Sequence, residues 1–241
     1  SKRLTALANM VTDGNRLADI GTDHGYIPIY LCQTGKIPSA LAMDIGKGPL
    51  QQAQTHIAEH GLSEQIKTRL SDGMAALQFG EADTILIAGM GGGLVMKILS
   101  EGAEKLTGKE ELILQPQSEI ALVREFLRVR NFQILNEDMI LEDGKYYPMM
   151  KVSQQKAAEQ TKILPQEVAD GFGPVLLQKR HPVLKEWLER ELRTTNSVIE
   201  QLSAQPDHER IRNRMQQVNC KKTLILEALK NYGTESVQSD D

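Results

Sequence analysis

The stretch Leu17-Ala18-Asp19-Ile20-Gly21-Thr22-Asp23-His24-Gly25-Tyr26 decides the fold of this 241-residue chain. A short apolar run passes into a turn of glycines and acids, and a helical pattern follows. This order is typical of the strand-turn-helix unit of α/β domains, where glycine lets a ligand approach the backbone. Asp23 departs from the dinucleotide fingerprint G-x-G-x-x-G, because a carboxylate there would repel a pyrophosphate. The turn therefore favours a ligand with a cationic or hydroxyl-rich group.

The periodicity on either side of this stretch predicts an α/β domain with a mostly parallel sheet. The predicted strands are 17–20, 40–44, 67–70, 84–88 and 112–115, and the helices between them are 27–34, 49–60, 94–105 and 119–130. Two further runs, 132–141 and 146–152, flank an Asp-Gly pair that is typical of a hairpin turn. We therefore expect the sheet to close with an antiparallel hairpin.

The pattern changes after Val152. Residues 153–166 are polar and indicate a connector, and apolar residues then recur at helical spacing over 183–202 and 211–232. Pro206 separates these two runs because proline cannot continue a helix. We predict an α/β domain over 1–155 and, over 156–241, a helical hairpin that forms an antiparallel coiled coil.

Two further acids follow the next predicted strands. Asp44, with Ile45 after it, lies where doubly wound folds place a carboxylate that accepts ribose hydroxyls, and Asp72, with Gly73 after it, can meet an adenine amino group. The carboxyl ends of parallel strands share one sheet edge, so these acids should line one crevice with Asp19 and Asp23. S-adenosylmethionine suits such a crevice, because it carries an ammonium group and ribose hydroxyls and has no phosphate.

The fourth strand runs into Ala88-Gly89-Met90-Gly91-Gly92-Gly93, which contains four glycines in five residues. Such a loop would lie under a reactive methyl group and let substrate and donor come close. No Asn/Asp-Pro-Pro-Tyr string is present to accept hydrogen bonds from an exocyclic amine, which favours methylation of a ring nitrogen. Two alternatives stay open: close packing at a helix N-terminus, and a phosphate cradle.

Four strings together resemble one protein family. They are Ala18-Asp-Ile-Gly-Thr-Asp-His-Gly-Tyr, Ala42-Met-Asp-Ile-Gly-Lys-Gly-Pro, Ile87-Ala-Gly-Met-Gly-Gly and Leu114-Gln-Pro-Gln-Ser118. They resemble the bacterial tRNA (adenine(22)-N1)-methyltransferases known as TrmK, and the similarity extends to the C-terminal hairpin. The resemblance implies a Rossmann-like fold, S-adenosylmethionine as donor, and methylation of N1 of an adenine in the D arm of tRNA. Methyltransferases often carry Glu where this chain has Asp44, and either acid can bind a ribose.

The predicted site residues fall into two overlapping sets. We expect the cofactor to be bound by Asp19, Gly21, Asp23, Gly25, Asp44, Ile45, Asp72, Gly73, Ala88, Gly89 and Met90. The candidate catalytic residues are Asp19, Tyr26, Met90 and Gln115. Gln117 and Tyr146 are further candidates for holding the base, although Tyr146 and Tyr147 also suit a strand, and Gln115-Pro116-Gln117 also suits a simple turn.

No metal site is expected. The segment His56-Ile57-Ala58-Glu59-His60 matches the H-x-x-E-H pattern of some zinc peptidases, but it lies on a predicted crossover helix. We interpret it as a solvated helix face remote from the crevice, and the remaining histidines form no cluster in the sequence.

Charge and composition limit the partners. The net charge of -4 and the isoelectric point near 5.8 argue against a nucleic-acid partner as global values. Bases concentrate locally, however, at Arg124, Arg128 and Arg130 and along the predicted hairpin, where they could contact tRNA phosphates or simply be the solvated flanks of a coiled coil. An uncovered apolar seam of the hairpin could make a homodimer, so the chain is expected to be a monomer or a weak homodimer.

The remaining expectations concern compartment and alternatives. Two distant cysteines and no apolar run of membrane-spanning length predict a cytoplasmic protein with no membrane partner. Two other functions stay open: methylation of a small molecule or a protein, and a non-catalytic RNA-binding protein with this fold.

Overall fold

The structure, a computed structural model, describes residues 1–154 and 164–233. It divides into two compact units, residues 1–159 and 160–241. The predicted domain boundary between 155 and 156, and most of the predicted polar connector, lie outside the described residues.

The N-terminal unit is built on a seven-stranded sheet. Its strands are β1 (Leu17–Ile20), β2 (Ala40–Asp44), β3 (Ile66–Leu70), β4 (Thr84–Met90), β5 (Glu111–Pro116), β6 (Gln133–Glu142) and β7 (Lys145–Ser153). They lie in the order β3-β2-β1-β4-β5-β7-β6, with β1 to β5 parallel and β7 antiparallel to both of its neighbours. The predicted mostly parallel sheet with a closing antiparallel hairpin is therefore confirmed.

Helices cover both faces of this sheet. They are α1 (Lys2–Met10), α2 (Tyr26–Gln33), α3 (Lys47–Glu59), α4 (Gly92–Glu101) and α5 (Ile120–Val129), and a short 3-10 turn, Ala103–Lys105, follows α4. Because side chains alternate along a strand, Leu17 packs with α1, α2 and α3, whereas Ala18 and Ile20 pack with α4 and α5. Helix α1 was not predicted, and its buried face includes Leu7 and Met10.

The C-terminal unit is helical. It contains α6 (Gln166–Phe172), α7 (Pro174–Gln178), α8 (Pro182–Ser203), α9 (Glu209–Leu229) and a 3-10 turn, Lys230–Tyr232. Helices α8 and α9 form the predicted hairpin. Lys221 of α9 pairs with Glu191 of α8 (2.6 Å), and the phenol of Tyr232, just after α9, donates to the carbonyl of His181, just before α8 (3.0 Å). Helices α6 and α7 were not predicted, and they add packing such as the contact of Phe172 with Trp187.

The seam of the hairpin has the expected spacing. Leu188, Thr195 and Leu202 are buried at seven-residue steps on α8, and Val218 and Ile225 are buried at the same step on α9. A heptad step keeps one stripe of each helix against its neighbour, as a coiled coil requires. No described helix combines the length and apolarity needed to cross a membrane.

Candidate functional site

A crevice of about 610 Å³ opens at the carboxyl ends of the central strands. It lies where the chain order of the strands reverses between β1 and β4, the usual ligand position in open α/β sheets. Ten of the eleven predicted cofactor residues line it, and Gly25 is the exception. Of the candidate catalytic residues, Asp19, Tyr26 and Met90 line the crevice and Gln115 does not.

The glycine turn after β1 shapes the floor of the crevice. Gly21 has a φ of +74°, and a Cβ atom on it would lie 2.2 Å from Cε of Met90. The methionine side chain therefore occupies the space that any other residue at Gly21 would need. Gly25 has a φ of +73° and caps the start of α2, so it serves the turn itself.

Asp19 is the buried acid of the crevice. Its side chain is buried at the end of β1 and accepts a hydrogen bond from the hydroxyl of Thr22 (2.7 Å). Burial raises the pKa of Asp19 to about 7, the Thr22 hydroxyl opposes that rise, and the neighbouring charge of Asp44 adds to it. A cationic ligand group beside Asp19 would keep this carboxylate ionised.

Asp44 is held in place by two backbone amides. Its Oδ1 accepts from the amide of Gly46 (2.8 Å) and its Oδ2 accepts from the amide of Asp23 (3.3 Å). The carboxylate joins the ends of β1 and β2 and still faces the crevice. Acceptor lone pairs remain available for ligand hydroxyls, since a carboxylate offers about four acceptor positions.

The far end of the crevice combines an acid with apolar surface. Asp72 is exposed after β3, and Gly73 behind it has a φ of +53° with its Cβ position 3.0 Å from Cγ1 of Ile98. Ile45 exposes 68% of its surface and also lines the crevice. An exposed apolar side chain beside an acid suits a flat heterocycle with an amino group.

The glycine-rich loop serves two purposes. Gly89 (φ +77°) lines the crevice, whereas Gly91, Gly92 and Gly93 do not. A Cβ on Gly92 would lie 2.4 Å from the carbonyl oxygen of Ser118, so that glycine is required by packing. The amides of Gly92 and Gly93 donate to side chains of Ser118 and Glu119, which leaves them unsuited to a phosphate cradle.

The glutamines after β5 have different positions. Gln115 is fully buried, and its Oε1 accepts from the amide of Gly89 (3.1 Å) and from Nη1 of Arg3 (3.2 Å). Gln117 is exposed and lines the crevice. Sequence reasoning missed Arg3, which also lines the crevice and comes from α1, although the apolar spacing of Leu4 and Leu7 could have revealed that helix.

Three rings lie close together beside the crevice, and of these Tyr26 lines it. The ring of Tyr26, which is 54% exposed, lies 5.3 Å from that of His24 and 5.7 Å from that of His56, measured between centroids. The segment 56–60 was predicted to be a solvated helix face remote from the crevice. Glu59 and His60 are exposed and no residue of the segment lines the crevice, but His56 is half-buried and its Nδ1 lies 3.0 Å from the carbonyl of His24. The described residues contain no group of three or more potential metal ligands.

Two other sequence-based interpretations are settled by the structure. The sequence left open whether Arg124 contacts a phosphate or is a solvated base, and the structure instead buries Arg124 in an ion pair with Glu137 (2.9 Å). Tyr146 and Tyr147 lie in β7, as the strand interpretation expects, and neither lines the crevice.

The fold and the site together define the class of protein. Carboxylates surround a glycine floor at the switch point of a mostly parallel sheet, and they match the ammonium, hydroxyl and amino groups of S-adenosylmethionine. The class is that of the S-adenosylmethionine-dependent methyltransferases with a Rossmann-like fold.

Comparison with known proteins identifies the family. Residues 17–224 match the model of the family TrmK, tRNA (adenine(22)-N(1))-methyltransferase. The tRNA (adenine(22)-N(1))-methyltransferase of Bacillus subtilis is 36% identical over 232 residues, which are 95% of this chain and 96% of that protein. The chain belongs to the TrmK family.

Solved structures agree with this assignment. The crystal structure of the Bacillus subtilis enzyme matches with a TM-score of 0.84 at 35% identity, covering 95% of this chain and 98% of that one. A Streptococcus pneumoniae protein solved with S-adenosyl-L-methionine matches with a TM-score of 0.81 at 34% identity, covering 95% and 99%. The methyl donor is therefore S-adenosylmethionine.

Proposed function

We propose that this chain methylates N1 of adenine 22 in the D arm of tRNA, with the donor held by the residues of the crevice. The observation that carries the proposal is the arrangement of Asp19, Asp23, Asp44 and Asp72 around a floor made by Gly21 and Met90. Membership of the TrmK family supplies the reaction.

Each acid has a role that follows from its surroundings. The backbone-anchored Asp44 binds the ribose hydroxyls, and the exposed Asp72 binds the adenine amino group with Ile45 against the heterocycle. Asp19 and Asp23 bind the ammonium group, because they flank the glycine turn at the end of β1. Gly73 and Ala88 leave room along the crevice walls.

Transfer to the base requires that N1 of the adenine be aligned with the methyl carbon, and it requires little acid-base chemistry. S-adenosylmethionine supplies a methyl carbon on a positively charged sulfur, which leaves as a neutral thioether. The lone pair of N1 forms the new bond to carbon, so no general base is needed and the product base is cationic. Tyr26 stacks on the unpaired adenine, Gln117 bonds its edge, and Met90 lines the point of transfer.

Methyl transfer to tRNA tests the function directly. The purified chain is incubated with radiolabelled donor and unmodified tRNA, and the modified nucleotide is mapped by a reverse-transcription stop. We expect one N1-methyladenosine at position 22 and none in a matched tRNA with guanine at that position. Donor binding without methylation of any tRNA would contradict the proposal, and incorporation into the guanine-22 control would contradict the target.

The assembly and compartment are also proposals. The chain acts in the cytoplasm, which is supported by two free cysteines, Cys32 and Cys220, in the described chain. It is a monomer or a weak homodimer, since Leu226 on α9 exposes 43% of its surface and offers only a small apolar contact. Sedimentation at several concentrations measures the oligomeric state.

A further inference from the structure

The lining of the crevice is chemically one-sided. It contains four carboxylates, those of Asp19, Asp23, Asp44 and Asp72, and among the described residues its single cationic side chain is Arg3. Carboxylates suit a cationic donor and repel the phosphates of an RNA that must reach the same crevice. Arg3 is thus the group in this lining that can attract the RNA backbone.

The N-terminal helix is fixed so that Arg3 reaches the crevice. Glu142, at the end of β6, accepts hydrogen bonds from the hydroxyl of Ser1 (2.6 Å) and from the amide of Lys2 at the start of α1. These bonds lower the pKa of Glu142, so a carboxylate stabilises the N-terminus of the helix.

The guanidinium of Arg3 lies near Gln117, one of the residues assigned to the base that accepts the methyl group. Nη1 of Arg3 is 3.7 Å from the position of a Cβ on Gly89, and the Nε2 atom of Gln117 is 3.9 Å from that same position. The guanidinium carbon lies 5.5 Å from the centre of the Tyr147 ring, which supports it from the side. Arg3 is therefore held beside the residues assigned to the target base.

Among the described residues, Arg3 uses few of its side-chain N–H donors. An arginine carries five N–H donors in a planar fork, and one of them bonds Oε1 of Gln115. Within residues 1–154 and 164–233, no carboxylate forms an ion pair with Arg3. A half-buried guanidinium with free donors suits a phosphate, which accepts two parallel hydrogen bonds.

We propose that Arg3 binds a backbone phosphate next to the target adenosine and so fixes the position of N1. This inference rests on the proposed function. A direct bond from Arg3 to N1 is disfavoured, because a donor there would occupy the lone pair that attacks the methyl carbon and a positive charge would repel the cationic product. The phosphate satisfies the guanidinium and leaves N1 free.

A variant series separates this role from a structural one. For Arg3→Ala we expect kcat/KM for tRNA to fall roughly 10- to 100-fold, the usual scale of a hydrogen bond to a charged group. Donor affinity should stay within about twofold of the wild-type value. The negative slope of log affinity for tRNA against log salt should become shallower by about 0.7 to 0.9, which is the loss of one phosphate contact. Lys2→Ala removes the neighbouring exposed cation and should change neither kcat/KM for tRNA nor the salt slope.

A second control addresses Gln115, which Arg3 also orients. Gln115→Met removes the amide that joins Arg3 to Gly89 and keeps the charge of Arg3. It should leave the salt slope at the wild-type value whatever it does to turnover. If Arg3→Ala acts only through Gln115, the two variants will match in kcat and neither will change the slope, which would overturn the proposal.

A modified RNA tests the contact itself. tRNA is assembled by ligation with a neutral methylphosphonate at the phosphate on the 5′ or the 3′ side of adenosine 22. One of these substitutions should weaken binding to the wild-type chain as much as Arg3→Ala does, and should weaken binding to Arg3→Ala no further. Additive losses at both positions would show that Arg3 binds neither phosphate.

These experiments distinguish the two levels of proposal. Wild-type chain that fails to methylate tRNA refutes the proposed function, whereas normal wild-type methylation with an unchanged salt slope in Arg3→Ala refutes only the phosphate contact. The slope is measured by equilibrium binding, so it does not depend on turnover.

Discussion

Asp19 makes the crevice sensitive to pH near neutrality. Burial raises its pKa from 3.8 to about 7, so the folded chain holds this proton more tightly than the unfolded chain does. The contribution of Asp19 to stability is therefore complete below pH about 4 and is lost as the pH rises through about 7. Donor binding has the opposite dependence, because an ammonium group prefers the ionised carboxylate.

We therefore expect affinity for S-adenosylmethionine to rise as Asp19 ionises. Between pH 6 and 7.5, below the usual pKa of an α-amino group, a pKa near 7 gives a rise of roughly eightfold. Asp19→Asn should bind more weakly at pH 7.5 and show a nearly flat profile by calorimetry. Asp13→Asn, which changes an exposed carboxylate outside the crevice lining, should keep the wild-type profile; a pH-dependent Asp19→Asn would refute the assignment.

Single residues also show what sequence reasoning could reach. The positions of Asp19, Asp44 and Asp72 at the crevice were predictable, because each lies at or just after the carboxyl end of a strand that its own local pattern marks. The position of Gln115 was not, because its amide is held by Arg3 across 112 positions of sequence. The ion pair of Arg124 with Glu137 was hidden for the same reason, since a basic residue in a helix gives no local sign of burial.

At the scale of elements, the loop between β4 and α4 depends on how closely two backbones approach. A Cβ on Gly92 would lie 2.4 Å from the carbonyl oxygen of Ser118 and 3.0 Å from Cγ2 of Val123. Gly92→Ala should therefore lower the free energy of unfolding by about 1 to 3 kcal/mol through overpacking. Urea denaturation measures the change.

Gly171→Ala is the matched control for this substitution. Gly171 also lies in a helix, α6, has nothing within 4 Å of its Cβ position, and is not followed by a proline. Its replacement should be neutral or stabilise the fold by up to about 1 kcal/mol. If the two variants are equally stable, the tight packing at Gly92 is not what requires glycine there.

Elements were predictable where a single period persisted and a turn residue ended it. All seven strands were found. β1, β2, β4 and β5 are short, largely apolar runs, β3 alternates Lys67 and Arg69 with less polar residues, and β6 and β7 flank the Asp-Gly turn. Helix α1 was missed because polar residues such as Lys2, Arg3 and Thr5 interrupt its apolar positions, and α6 and α7 because they have only seven and five residues. Because α1 was not predicted, the sequence-based prediction of the crevice lining did not include Arg3.

At the scale of the whole molecule, the net charge of -4 comes from parts of the chain that differ in charge. Acids gather in the crevice, and residues 153–241 carry equal numbers of acidic and basic residues. Some hairpin cations are already paired, since Arg212 contacts Asp207 and Lys221 contacts Glu191. The global charge therefore says little about RNA binding, and the unpaired cations of the hairpin say more.

Arg210 and Arg214 are the cations that remain for a phosphate in this part of the hairpin. Both line a groove of about 700 Å³ near the turn between α8 and α9, and no carboxylate pairs with either in the described chain. Replacing both with Gln should raise KM for tRNA several-fold and lower the salt slope by about 1.4 to 1.8, while donor affinity stays unchanged.

Lys221→Gln is the control for this hairpin variant, because the ammonium group of Lys221 is paired with Glu191. Loss of this exposed ion pair should cost the fold little stability. It should leave the salt slope near the wild-type value. A wild-type slope in the Arg210 and Arg214 double variant would show that the groove residues are only the solvated flank of a coiled coil. A reduced slope there and a further reduction when Arg3→Ala is added would show that the two units contribute separate phosphate contacts, because independent contacts add.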